Sequence, residues 1–118
     1  MSTGNADGWL DAIRAREELL GKDSVRRMAE MFIEEVDPLL SKAQDALLDG
    51  DLDEARKAIH TLGGNAGCLD FNDLAVAIQN AEKACVDGQP HDAFAQLSLI
   101  TPLARKKADQ LRHHYRIT

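Results

Sequence analysis

Few residues in this sequence can do nucleophilic, proton-transfer or metal chemistry: four histidines and two cysteines in 118 residues. His60, His91, His113 and His114 form no His-x-x-x-His or Glu-x-x-His pair, so a metal centre held between bundle helices is not expected. No serine sits in a glycine-flanked nucleophile elbow. Adjacent His113 and His114 would point to different faces of a helix and read as surface residues. Cys68 and Cys85 are too few and too far apart for a disulfide framework or a zinc knuckle. A reducing cytoplasm suits them, with Cys68 a turn or core thiol and Cys85 a core one. His60 is set apart by the run of residues around it, and an imidazole can act as a nucleophile near neutral pH.

His60 lies in the run Ile59-His60-Thr61-Leu62-Gly63-Gly64-Asn65-Ala66-Gly67. Each glycine inside a helix costs on the order of 1 kcal/mol against alanine, so three need a reason. At ~100° per residue, His60 points roughly 130° from the centre of the apolar stripe, toward solvent. Gly63, Gly64 and Gly67 follow at i+3, i+4 and i+7 and read as the same exposed face. Glycines that serve helix packing would lie on the core stripe, and on the wheel these lie off it. The expected result is an imidazole beside a strip without side chains, where another protein's backbone can approach closely.

The elements that must position this face are helical throughout. Strand-like alternation is absent, and apolar residues recur every three or four positions. A first short helix is predicted over about Gly8 to Leu20, with Trp9, Ile13 and Leu20 inward and Gly21 as its stop. A second starts near Asp23-Ser24 with the stripe Val25, Met28, Phe32, Val36, Leu39, Ala43 and Leu47; Pro38 should kink or break it. Gly50 ends it. Asp51, with Glu54 three residues on, opens the histidine helix as a capping box. Its stripe is Leu52, Ala55, Ile59, Leu62, Ala66 and Leu69. A turn at Asp70-Phe71-Asn72 leads to a fourth helix with Leu74, Ala77, Ile78, Ala81 and Cys85 inward, ended by Gly88. Pro90 starts the last helix, and Pro102 is a second expected kink. Short connections make neighbours antiparallel. The predicted fold is therefore all-α: an antiparallel up-down four-helix bundle with a short extra N-terminal helix over residues 8–118, after a disordered segment 1–7.

Composition narrows the partners. A formal net charge of −6 argues against nucleic acid. No apolar run has the ~18 residues of a membrane span, and the N-terminus has no secretory pattern, so a cytoplasmic protein is expected. The stretch from Thr101 onward is about +4, leaving about −10 on the rest. That basic last helix reads as a solvated face with dipole compensation, or as a docking patch for an acidic partner.

The run from His60 to Gly67 resembles the histidine phosphotransfer (HPt) domain family, whose motif is a histidine, two residues, Lys-Gly and then small residues. Leu69 and Leu74 continue the likeness. So do the upstream run Met31-Phe32-Ile33-Glu34-Glu35-Val36-Asp37-Pro38-Leu39-Leu40 and the Asp49-Gly50-Asp51 turn. The resemblance covers about Leu10 to Ala108 and implies a bundle whose exposed histidine, here His60, is reversibly phosphorylated. It implies that Glu82, 22 residues after the histidine, hydrogen-bonds the ring, and Gln79 could face the same site. Glu82 holding Nδ1–H would leave Nε2 as the nucleophile. It also implies that a response-regulator receiver domain supplies the aspartyl phosphate and the Mg²⁺, with no cofactor in this chain and a hybrid histidine kinase as a further partner. The family lysine three residues after the histidine is replaced by Gly63; Lys57 and Arg56, one turn before His60, are candidate substitutes. A monomer is expected. Two other readings stay open at this point: an adaptor of the same fold that binds a receiver or kinase without exchanging phosphate, and a structural bundle with a surface histidine.

Overall fold

A computed structural model describes residues 8–117. The segment 1–7, expected to be disordered, lies outside the described residues. Five helices and no strand form within them: α1 Trp9–Leu20, α2 Lys22–Leu48, α3 Leu52–Cys68, α4 Asn72–Val86 and α5 Pro90–Tyr115. α2 packs on α3 and α5, α4 packs on the same two, and α1 lies against α2. The long dimension of 42 Å matches one helix of 27 residues, which at 1.5 Å per residue runs about 40 Å.

The apolar stripes fill the centre of this ring. Phe32, Ile59, Leu62, Leu74, Ile78, Ile100 and Leu111 are fully buried. Between them sit buried alanines, among them Ala29, Ala55, Ala66, Ala81, Ala93 and Ala104. Small residues at these positions let the helix axes approach closely. Ion pairs bridge the seams outside the core: Lys42 Nζ to Glu54 Oε1 at 3.1 Å between α2 and α3, and Arg105 Nε to Asp37 Oδ1 at 3.1 Å between α5 and α2.

α3 begins as its sequence requires. The Asp51 carboxylate accepts from the Glu54 backbone N–H at 3.0 Å, satisfying one of the open donors of the first turn. The reciprocal half of a capping box does not form: the Asp51 backbone N–H donates to Ala46 O at 2.8 Å, and Glu54 pairs with Lys42. Gly50 at φ 76° and Gly88 at φ 70° make the left-handed turns after α2 and α4.

One expectation needs correction. Leu20 is 41% exposed rather than inward, because it falls on the last residue of α1, where Gly21 turns the chain away. Pro38 does not break α2, which runs unbroken from Lys22 to Leu48. Pro38 is exposed, so the carbonyl it leaves unpaired faces water. α5 likewise continues through Pro102. The turn expected at Asp70-Phe71-Asn72 does fall between α3 and α4, and Phe71 within it is buried: its ring meets Phe32 edge-on at 5.6 Å, and Lys107 Nζ lies 4.9 Å from its centroid. The turn itself is made by Asp70 at φ 61°, while Lys107, itself buried, pairs with Asp73 Oδ1 at 3.3 Å.

α1 is fastened at both ends. Trp9 and Ile13 are buried, and Trp9 meets the His114 ring edge-on at 5.9 Å. The Tyr115 hydroxyl donates to Glu17 Oε2 at 2.8 Å. Burial first, and then Glu17, push the Tyr115 phenol above its ordinary range.

Candidate functional site

His60 sits at the middle of α3, between buried Ile59 and the buried Leu62 one half-turn on. Those neighbours anchor the backbone, and the periodicity then forces the imidazole outward: its side chain is 71% exposed. Across the seam, α4 presents Glu82, whose Oε2 lies 3.0 Å from His60 Nδ1. A ring that donates its Nδ1 proton to a carboxylate carries its lone pair on Nε2. A positioned, solvent-accessible nitrogen nucleophile with a carboxylate behind it is the chemistry this geometry offers.

Gly63 explains how Glu82 reaches the ring, and it corrects the exposed strip. The residue is half-buried, and a Cβ placed there would lie 2.9 Å from Ile78 Cγ2 and 3.6 Å from Glu82 Oε1. Gly63 is thus a packing glycine on the α3–α4 seam rather than part of an open face. A single-helix wheel measures angle from one stripe and cannot show that a second helix closes over its flank. Gly64 and Gly67 are exposed, with nothing within 4 Å of an added Cβ. The open strip beside His60 is therefore these two glycines.

The two basic candidates are engaged. Arg56 Nη2 pairs with Asp53 Oδ1 and Lys57 Nζ with Asp53 Oδ2, each at 3.4 Å. Hydrogen bonds from Lys57, then Arg56, hold the Asp53 carboxyl below the usual carboxylate range. Asp53 was not singled out from the sequence, although its i, i+3 and i+4 spacing to Arg56 and Lys57 was there to be read. Gln79 is exposed on α4, and among the described residues it makes no hydrogen bond to the ring.

Nearby side chains complete the setting. Asn65 Nδ2 donates to Glu35 Oε2 at 2.7 Å, tying α3 to α2 between Gly64 and Gly67. Cys85 is buried three residues after Glu82, and burial pushes its thiol up. Cys68, in contrast, is exposed at the end of α3. Among the described residues no three His, Cys, Asp or Glu side chains come together as a metal site, and no helix is long and apolar enough to cross a membrane.

Comparison with known families places this arrangement. The family model of the Hpt domain matches residues 27–114, a span that holds α3 and α4 entire, most of α2 and nearly all of α5. α1 precedes it. Neither the comparison with curated proteins nor that with solved structures gave a match. Hpt domains are helical bundles that carry out histidine phosphotransfer in phosphorelays and work with receiver domains. A match over well over half of the sequence, with the exposed His60 inside the matched span, means that this chain belongs to the Hpt domain family.

Proposed function

We propose that this protein is a phosphoryl carrier in a multistep phosphorelay, reversibly phosphorylated on His60 by exchange with the aspartate of a response-regulator receiver domain. The observation that carries this reading is the pairing of an exposed His60 with Glu82 at 3.0 Å. In the forward step Nε2 attacks the phosphorus of the receiver's aspartyl phosphate. The Nε2–P bond forms as the P–O bond to the aspartate breaks, and the carboxylate leaves with its electron pair. The Nδ1 proton stays in place, and Glu82 offsets the positive charge that develops on the ring. Transfer back to a receiver reverses each bond change.

Phosphoryl transfer passes through a loose transition state, so the protein's task is alignment and charge balance. A rigid helix supported by a packed core supplies the alignment. Gly64 and Gly67 leave room for the receiver's backbone beside the ring, and Mg²⁺ comes with the receiver. The antiparallel up-down arrangement of α2–α5 suits this task. It is supported by the short turns between helices and by the pairs Lys42–Glu54, His60–Glu82 and Arg105–Asp37, which join residues at matching heights. A monomer in the cytoplasm, able to meet a hybrid histidine kinase as well as a free receiver, fits the same reading.

A second reading draws on one observation: the family lysine is replaced by Gly63, and Arg56 and Lys57 are both engaged by Asp53. An adaptor that binds a receiver or kinase without holding phosphate would tolerate that arrangement. Incubation with a phosphorylated receiver and Mg²⁺, beside a His60→Gln control, separates the two. Acid-labile phosphate on the wild type alone is the carrier's result, and binding without label is the adaptor's.

A further inference from the structure

Asp53, Arg56, Lys57 and His60 stand at i, i+3, i+4 and i+7 along α3, on one face of the helix. The carboxylate at one end holds both cations, at 3.4 Å each. The side chains are exposed to different degrees, 68% for Asp53, 58% for Lys57 and 35% for Arg56. Asp53 and Lys57 are mostly exposed, and Arg56 is partly buried. The ladder therefore has a negative group at its N-terminal end, two cations in the middle and the phosphate-accepting ring at the other.

Resting on the carrier reading, we propose that Asp53 is a positioning residue for the phosphorylated state: it parks Lys57 and Arg56 while His60 is bare and yields Lys57 to the phosphoryl group once it is there. A phosphoryl dianion on Nε2 carries twice the charge of a carboxylate and more acceptor oxygens, so it competes well for an ammonium on a flexible stem. Lys57 starts one turn from His60, within reach of either anion. Gly63 cannot serve, because α4 closes over it and Ile78 would meet any side chain placed there. In this chain the cation consequently reaches the phosphoryl group from the N-terminal side of the histidine, and its availability is set by Asp53. Both cations favour the charged form of the Asp53 carboxyl, Lys57 before Arg56, as a group competing for Lys57 would require.

The test uses the full-length protein and inorganic phosphoramidate as donor, so no partner need be known. Nε2 forms its bond to phosphorus as the donor's P–N bond breaks and ammonia departs. The proton affinity of the resulting phosphoryl group is then followed by ³¹P NMR over a pH series. With Asp53→Asn, the phosphoryl group should bind its proton about 2- to 5-fold more weakly, the scale expected for one exposed ion pair. Asp53→Glu should behave as the wild type. In an R56A/K57A background D53N should lose most of its effect, because Asp53 lies about 10 Å from His60 along the axis and acts directly only through salt-screened space. An unchanged titration in D53N, or an equal shift in both backgrounds, would overturn the inference while leaving the carrier reading intact. A wild-type protein that takes no label on His60 would overturn both.

Discussion

Nδ1 of His60 and Oε2 of Glu82 face each other at 3.0 Å across the seam between α3 and α4. The contact joins two helices that are otherwise fastened by apolar packing, and it sets which ring nitrogen is free. Glu82→Ala should slow phosphoryl acceptance by roughly 3- to 10-fold, the range for losing one charge-assisted hydrogen bond at a largely exposed site. Glu82→Gln, which can still accept from Nδ1–H, should recover part of that loss. Initial rates with a phosphorylated receiver measure both.

Gly63 and Gly64 are neighbours in sequence with opposite surroundings. Gly63→Ala brings a methyl group to 2.9 Å from Ile78 Cγ2. Overpacking of about 1–3 kcal/mol should exceed the ~1 kcal/mol gained in helix propensity. Gly64→Ala meets nothing within 4 Å and should stabilise the fold by up to about 1 kcal/mol. It should nevertheless weaken receiver binding if that strip is the docking surface. Urea denaturation beside a binding titration reads both effects, and a G64A protein that gains stability without losing affinity would remove Gly64 from the interface.

Lys107 should be the costliest lysine to remove. It is 2% exposed, with its ammonium near the Phe71 ring and 3.3 Å from Asp73. Lys107→Ala leaves a gap against Phe71 and removes the buried stem packed there, for about 2 kcal/mol or more. Lys106→Ala, on the exposed side of the same helix, should stay within ~0.5 kcal/mol. Thermal or urea midpoints distinguish the two.

The α1 fastening carries an alkaline limit. The Tyr115 phenol is raised in the folded protein by burial and by Glu17. Its contribution is complete below the ordinary phenol value near pH 10 and is lost as pH rises above it, since the unfolded chain then releases the proton first. Burial raises the Cys85 thiol in the same sense, so the decline begins near pH 9. Tyr115→Phe should cost about 1 kcal/mol at neutral pH and flatten the part of the decline above pH 10. Stability measured from pH 7 to 11 tests this.

Much of this architecture follows from local pattern. The stripes through Phe32, Ile59, Ile78 and Leu111 predict the helices and their buried faces, and Asp51 with Glu54 predicts where α3 begins. The exposed setting of His60 is an angular consequence of the stripe beside it. What escaped local reading depends on a second element. Gly63 looks open until α4 is laid over it, and the burial of the turn residue Phe71 shows only once Phe32 and Lys107 close around it. Lys107 reads as one charge of a basic tail because periodicity does not separate a stem buried across a seam from one in water. Pro38 is tolerated because its missing donor falls on the wet side of α2, a fact of burial rather than of composition.

His60 should carry phosphate on Nε2 while Glu82 holds Nδ1. Protein with ¹⁵N-labelled histidine, phosphorylated by a phosphorylated receiver domain with Mg²⁺, reports this through the ³¹P–¹⁵N couplings of the ring. The expected spectrum has one acid-labile phosphoryl group, coupled to Nε2 of His60, with the proton retained on Nδ1. Phosphate on Nδ1, on another residue, or equally on a His60→Gln protein would contradict it.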